Sequence, residues 1–125
     1  MEIKTVETDK APKAIGPYSQ AKIFGSLLFT SGQIPINPKT GNVDAVTIEE
    51  QSEQVMQNLY QVLIASGSSF EKVIKTTCFL ADMNDFSAFN AVYGKYFVTC
   101  PARSCVAVKE LPKGVKVEVE VIASI

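Results

Sequence analysis

The spacing of apolar residues changes period several times along the chain, and each change marks an element. Residues 2–7 alternate loosely and fit an edge strand, and the apolar runs 21–24 and 27–33 flank Gly25 and Ser26 like the arms of a hairpin. KAPKAIGPYSQA, which precedes the hairpin, carries Pro12, Gly16 and Pro17 and fits a loop, because proline lacks an amide donor and fixes φ. QIPINPKTGN, which follows it, is rich in turn formers. From there the period becomes helical: Ile48, Val55, Met56, Leu59, Val62 and Leu63 fall on one face. Thr47 and Glu50 form a capping box at its start, each side chain meeting an amide that the first turn leaves unpaired, and Gly67 is a natural stop. The β-branched run VIKTTCFL at 73–80 fits a strand. A second helix fits 85–97, with Phe86, Phe89, Tyr93 and Phe97 on one side and Asn84 or Asp85 near its start.

Two more strands, 102–109 and 115–123, flank the turn LPKG. Val106 and Val108 face one way, as do Val117, Val119 and Val121; Arg103, Cys105 and Ala107, and Lys116, Glu118 and Glu120, lie opposite. Two helices can cover only one face of a sheet. The order ββ(β)αβαββ therefore describes an α+β domain, a mixed six-stranded sheet with two helices packed on one face. Arg103, Cys105 and Ala107 are expected on the face without helices.

Length confines this to one domain over 1–125, and 46% hydrophobic with 20% charged residues is the balance of an ordinary globular fold. Cys78, Cys100 and Cys105 cannot all pair within one chain and show no zinc spacing, which points to reduced thiols and a cytoplasmic location. The N-terminus lacks the apolar run of a signal peptide, and no stretch reaches membrane-spanning length. A net charge of −1 and a pI near 5.4 argue against nucleic acid as a partner. The chain has no histidine, which removes histidine-activated nucleophiles and most zinc sites, and neither phosphate-cradling glycine motif is present. No metal or cofactor is expected, so any catalysis falls to carboxylates, hydroxyls, thiols, backbone dipoles and one guanidinium.

That guanidinium belongs to Arg103, the only arginine beside eleven lysines. Its planar fork binds a carboxylate through two parallel hydrogen bonds, which an ammonium cannot reproduce; a structural salt bridge is the competing role. Glu118 and Glu120 alternate with valines and are either solvated or, for one of them, a base toward water in a partly dry pocket. Tyr18 could cap a pocket or pack at an interface, and Gly32 after Ser31 could let a ligand approach the backbone or simply turn the chain. Asn90 lies on the aromatic side of the second helix, with packing or capping as its alternative role. Cys105 has no histidine to activate it as a nucleophile.

AIGPYSQA at 14–21, TSGQIPINPKTG at 30–41, FNAVYGKYF at 89–97, PARSCVAV at 101–108 and LPKGVKVEVEVIA at 111–123 together resemble the Rid (YjgF-type) reactive-imine deaminase family, in its RidA-like branch. The resemblance implies a chorismate-mutase-like fold and a homotrimer with sheets facing inward and sites at the subunit clefts. It implies that Arg103 binds the carboxylate of a 2-imino acid, that Glu118 and the carbonyl of Cys105 hold the attacking water, and that Tyr18, Ser31, Gly32 and Asn90 line the pocket. The implied reaction converts 2-iminobutanoate or 2-iminopropanoate and water to a 2-oxo acid and ammonium, protecting pyridoxal-phosphate enzymes, without metal or cofactor. A non-catalytic module binding small 2-oxo or amino carboxylates is the alternative. The link 98–100 is shorter than in many relatives, and Ala21 stands where glycine is common.

Overall fold

The computed structural model describes all residues, 1–125. Its elements run β1 (Ile3–Val6), β2 (Ala21–Phe24), β3 (Leu27–Thr30), α1 (Ile48–Ala65), β4 (Val73–Leu80), α2 (Phe86–Tyr96), β5 (Ala102–Ala107) and β6 (Val117–Ser124). The strands form one six-stranded sheet in the order β1-β2-β3-β6-β4-β5, antiparallel throughout except for the parallel pair β4/β5. This is the expected α+β architecture of a mixed sheet and two helices.

Local chemistry accounts for the element ends. Gly25 turns the β2–β3 hairpin at φ +62°, a left-handed conformation that costs glycine little. Thr47 caps α1 by accepting from the Glu50 amide at 3.1 Å, while the Glu50 carboxylate accepts from the Thr47 amide at 3.2 Å. β3 was expected to continue to 33 but ends at Thr30. The Ser31 amide still pairs in register with the Gln20 carbonyl on the β2 side, but toward β6 the Val121 amide donates to Thr30 Oγ1 at 3.0 Å, and Gln33 rejoins through an isolated bridge to Val119, one residue out of register. β5 ends at Ala107 rather than 109, and β6 begins at Val117 rather than 115 because a 3-10 turn over Pro112–Gly114 occupies the approach. α2 starts one residue late, after a 3-10 turn over Met83–Asp85 in which Asp82 caps Asn84.

Both helices pack on one face, and the core lies between them and the sheet. Val55, Met56, Leu59, Val62 and Leu63 of α1 and Phe89 of α2 are fully buried against Leu28, Cys78, Leu80, Val117, Val119 and Ala123. Ala21 is also buried, at 1% exposure.

Register then corrects one expectation. Cys78 of β4 pairs with Cys105 on one side and Val119 on the other, and Thr76 likewise with Arg103 and Val121. Arg103 and Cys105 therefore share the helix-covered face with the buried valines of β6, and Val106 lies on the open face at 47% exposure. The alternation assigned residues to common faces correctly within each strand, but on β5 it matched the valines to the wrong side. β5 is an edge strand, where α2 sets Phe86, Asn90 and Tyr93 around Arg103, so its side chains need not follow the hydrophobic-inward rule. Glu118 and Glu120 do lie on the open face, with Ile3, Phe24, Leu27 and Phe29 exposed on it as well.

Leu59 sits at the centre of the core with no exposure. Leu59→Ala should destabilise the fold by roughly 2–5 kcal/mol, the range for emptying a packed leucine site, as a lower urea midpoint with an unchanged slope.

Candidate functional site

The residues singled out from the sequence gather into two groups, on opposite faces of the sheet. On the helix face, at the β5 edge, Arg103 is half-buried and donates from Nη1 to Asn90 Oδ1 at 2.7 Å. Its guanidinium carbon lies 4.7 Å from the Tyr93 ring centre and 5.5 Å from that of Phe86. A depression of about 370 Å³ opens here, walled by Tyr93, Phe97, Val98, Cys100 and Pro101. The chain's one ion pair, Lys95–Glu53 at 2.6 Å, lies elsewhere on the helices, so no carboxylate neutralises Arg103. The structural salt bridge considered for it is therefore absent.

Cys105 stands two residues further on the same face. Its thiol is half-buried beside Cys78, and burial raises the pKa of both, that of Cys78 to about 12, so neither is a thiolate near neutrality. The useful part of Cys105 is its backbone. The Val108 amide donates to the Leu80 carbonyl of β4 at 2.9 Å, and backbone directions alternate along a strand. That phase turns the peptide groups of Arg103 and Cys105 to the unpaired edge, where the Cys105 carbonyl can accept from an incoming group.

On the open face, Glu118 lies over Gly32. A Cβ built on Gly32 would collide with the Glu118 carboxylate, so the carboxylate occupies space that any other residue would fill. Burial, and then the negative charge of Glu120, raise the pKa of Glu118. Ser31 is fixed beside it, its hydroxyl donating to the Ser19 carbonyl at 2.5 Å. Tyr18 is half-exposed in the preceding loop, and its hydroxyl accepts from the Ile15 amide at 3.2 Å.

Arg103 and Glu118 are thus not brought together within one chain. β4 lies between β5 and β6, and at about 4.8 Å per strand the two residues stand about 10 Å apart across the sheet before the change of face is counted. Three contributors escaped the sequence reading. Gln20, buried at 5%, ties the loop down: its amide accepts from Thr8 N–H at 2.7 Å and donates to the carbonyls of Thr8 and Pro12 at 2.9 and 2.8 Å. Tyr93 was read only as part of the aromatic stripe, and Thr76, whose hydroxyl lies 2.8 Å from that of Tyr93, only as a strand residue. A polar residue in a β-branched run is a faint signal for the last; the others depend on tertiary contact.

The model of a family described as Endoribonuclease L-PSP matches residues 8–125. AldR of Lactococcus lactis, a regulator in name, is 52% identical over 124 residues, covering 98% of both chains. The 2-iminobutanoate/2-iminopropanoate deaminase of Escherichia coli K12 is 48% identical over 124 residues, covering 96% of both. The crystal structure of Escherichia coli TdcF with bound serine superposes with a TM-score of 0.93 at 44% identity, covering 98% of both.

Two outcomes follow from the open-face geometry. Gly32→Ala should leave thermal stability nearly unchanged, because the Glu118 side chain can swing aside, yet it should move that carboxylate off the Ser31–Gly32 backbone; a crystal structure of the variant checks the displacement. A carboxyl whose pKa is higher in the folded state contributes stability that is complete below its unfolded pKa and is lost as pH rises through the folded one. Glu118→Gln should therefore melt above the parent at neutral pH, with the advantage vanishing below the ordinary carboxylate range in thermal scans across pH.

Proposed function

Since this chain belongs to the Rid (YjgF-type) family, whose model carries the description Endoribonuclease L-PSP, we propose that it hydrolyses small 2-imino acids to 2-oxo acids and ammonium. The observation that carries the proposal is Arg103: a half-buried guanidinium with no carboxylate partner, facing a depression at a sheet edge. A desolvated, uncompensated cation is costly in a purely structural role and suited to a ligand's carboxylate. The relative named as a deaminase and the neighbour with bound serine agree with a small amino-acid-derived ligand.

The site is completed by a second copy of the chain. Arg103 and the Cys105 carbonyl of one subunit meet Glu118, Ser31 and Gly32 of its neighbour in a homotrimer with three clefts, Tyr18 closing the rim. The exposed apolar residues of the open sheet face, Phe24, Phe29 and Val106 among them, supply the surface that such packing buries. Arg103 holds the substrate carboxylate, which fixes the imine carbon, and Glu118 with the Cys105 carbonyl holds a water in line with it. The protonated imine carbon is electrophilic without a metal. Water attacks it, giving its proton to Glu118 and its oxygen to carbon. The proton then returns to the nitrogen of the carbinolamine and the C–N bond breaks to release ammonia; as the C=O bond forms, Glu118 takes the hydroxyl proton and passes it to the ammonia, which leaves as ammonium. The burial that raises the Glu118 pKa makes it a better proton acceptor than a solvated carboxylate.

One observation favours a second reading, carboxylate binding without turnover: the regulatory name of the 52% identical relative. Binding alone does not need Glu118. Under the hydrolytic reading Glu118→Gln should slow decay of freshly generated 2-iminopropanoate by about 10²–10⁴-fold while ligand affinity changes little.

Arg103→Ala should lose at least about thirtyfold in kcat/KM, with Arg103→Lys between it and the parent. The two inactive variants also test the composite site. Refolded together at equal amounts, Arg103→Ala and Glu118→Gln should regain about a quarter of the parental activity, because a cleft with both groups intact forms when two adjacent subunits carry complementary defects. No recovery in mixed trimers would place both groups in one subunit. A monomer in sedimentation would remove the assembly altogether.

A further inference from the structure

We infer that Asn90, Tyr93 and Thr76 form an electrically neutral mount for Arg103, and that this neutrality keeps the guanidinium charge available to a carboxylate ligand. The inference rests on the reading of Arg103 as the carboxylate clamp. The chain carries thirteen acidic residues, and none forms an ion pair with Arg103. What holds it instead is the side-chain oxygen of an amide at 2.7 Å and the faces of two aromatic rings. An amide oxygen orients a guanidinium without cancelling its charge, and an aromatic quadrupole attracts it likewise.

The mount is itself anchored. Tyr93 is buried at 8% exposure, and its hydroxyl meets that of Thr76 at 2.8 Å. Thr76 has no exposure and stands opposite Arg103 in the β4/β5 register, so the pin and the group it steadies are cross-strand neighbours. Asn90 and Tyr93 are three residues apart on α2, on one side of the helix. α2 thus holds the Arg103 side chain of β5 through uncharged contacts only, and β4 pins one of those contacts through Thr76. A carboxylate at position 90 would have nearly the same shape and would reach the same nitrogen. It would fix Arg103 more firmly and compete with the ligand for it. These are positioning residues: they act through Arg103 rather than on the substrate.

The experiment measures 2-oxobutanoate binding by calorimetry and 2-iminopropanoate hydrolysis, using the assembled protein. Asn90→Asp should keep or raise the melting temperature, weaken 2-oxobutanoate by at least about tenfold, and raise KM by a like factor with kcat within about threefold of the parent. Thr76→Val should raise KM by a smaller factor, and Thr76→Ser, which retains the hydroxyl, should restore it. Asn90→Asp with parental affinity and KM, while Arg103→Ala has lost both, would overturn the neutral mount and leave the clamp standing. Arg103→Ala with parental affinity would overturn the clamp itself. An Asn90→Asp protein that melts lower, with kcat and KM both degraded, would mean that Asn90 is a packing residue, against the inference.

Discussion

β4 lies between a parallel neighbour and an antiparallel one, and its alternation of side chains decides what each face of the sheet carries. Thr76, Cys78 and Leu80 point under the helices; Lys75, Thr77 and Phe79 point away. Through the register, that phase places Arg103 and Cys105 under α2 and sends Glu118 and Glu120 to the opposite surface. A slip of one residue would exchange the faces, burying carboxylates among leucines, so the hydrophobic content of the core holds the register in place. The helices hold β4 and β6, β4 in turn holds β5 with its Arg103 while β6 carries Glu118, and the separation of the two groups follows from that packing.

The ionisable groups divide by the sign of their effect on folding. Glu50 at the start of α1 has its pKa lowered, chiefly by the Thr47 amide, and Glu53 has its pKa lowered, chiefly by Lys95. Those carboxylates favour the folded state at neutral pH. Glu118 is shifted the other way and opposes it, with no hydrogen-bond donor of the chain to compensate. An unfavourable carboxylate beside a backbone that leaves out a side chain, as Gly32 does, fits the proposed hydrolysis, in which Glu118 serves reactivity rather than folding.

Much of the fold was legible before the structure. The capping box, the helical stripe of α1 and the β-branched run of β4 state their conformations locally, because caps and periodicity are properties of neighbouring residues. The grouping of Glu118 with Glu120, and of Arg103 with Cys105, followed from alternation in the same way. Which face Arg103 and Cys105 meet did not, since that depends on Cys78 lying opposite Cys105, a contact 27 positions apart in the sequence. The early end of β3 was hidden for the same reason: the Val121 amide of β6 takes the Thr30 hydroxyl and the register toward β6 shifts by one residue, and nothing in the apolar run 27–33 announces that competitor. Gln20 and Tyr93 looked like a loop amide and a core aromatic, and only their partners distinguish them from residues of that kind.

The two groups of candidate site residues share no side chain, and a layer of backbone separates them. Changes in α2 or in the 98–101 link can reshape the wall around Arg103 without disturbing the packing of Glu118 on Gly32, and changes in the 13–19 loop can do the converse. Within one subunit the packing of the two groups is modular under mutation, so any epistasis between them arises where subunits meet in the proposed cleft and not through the fold of the chain.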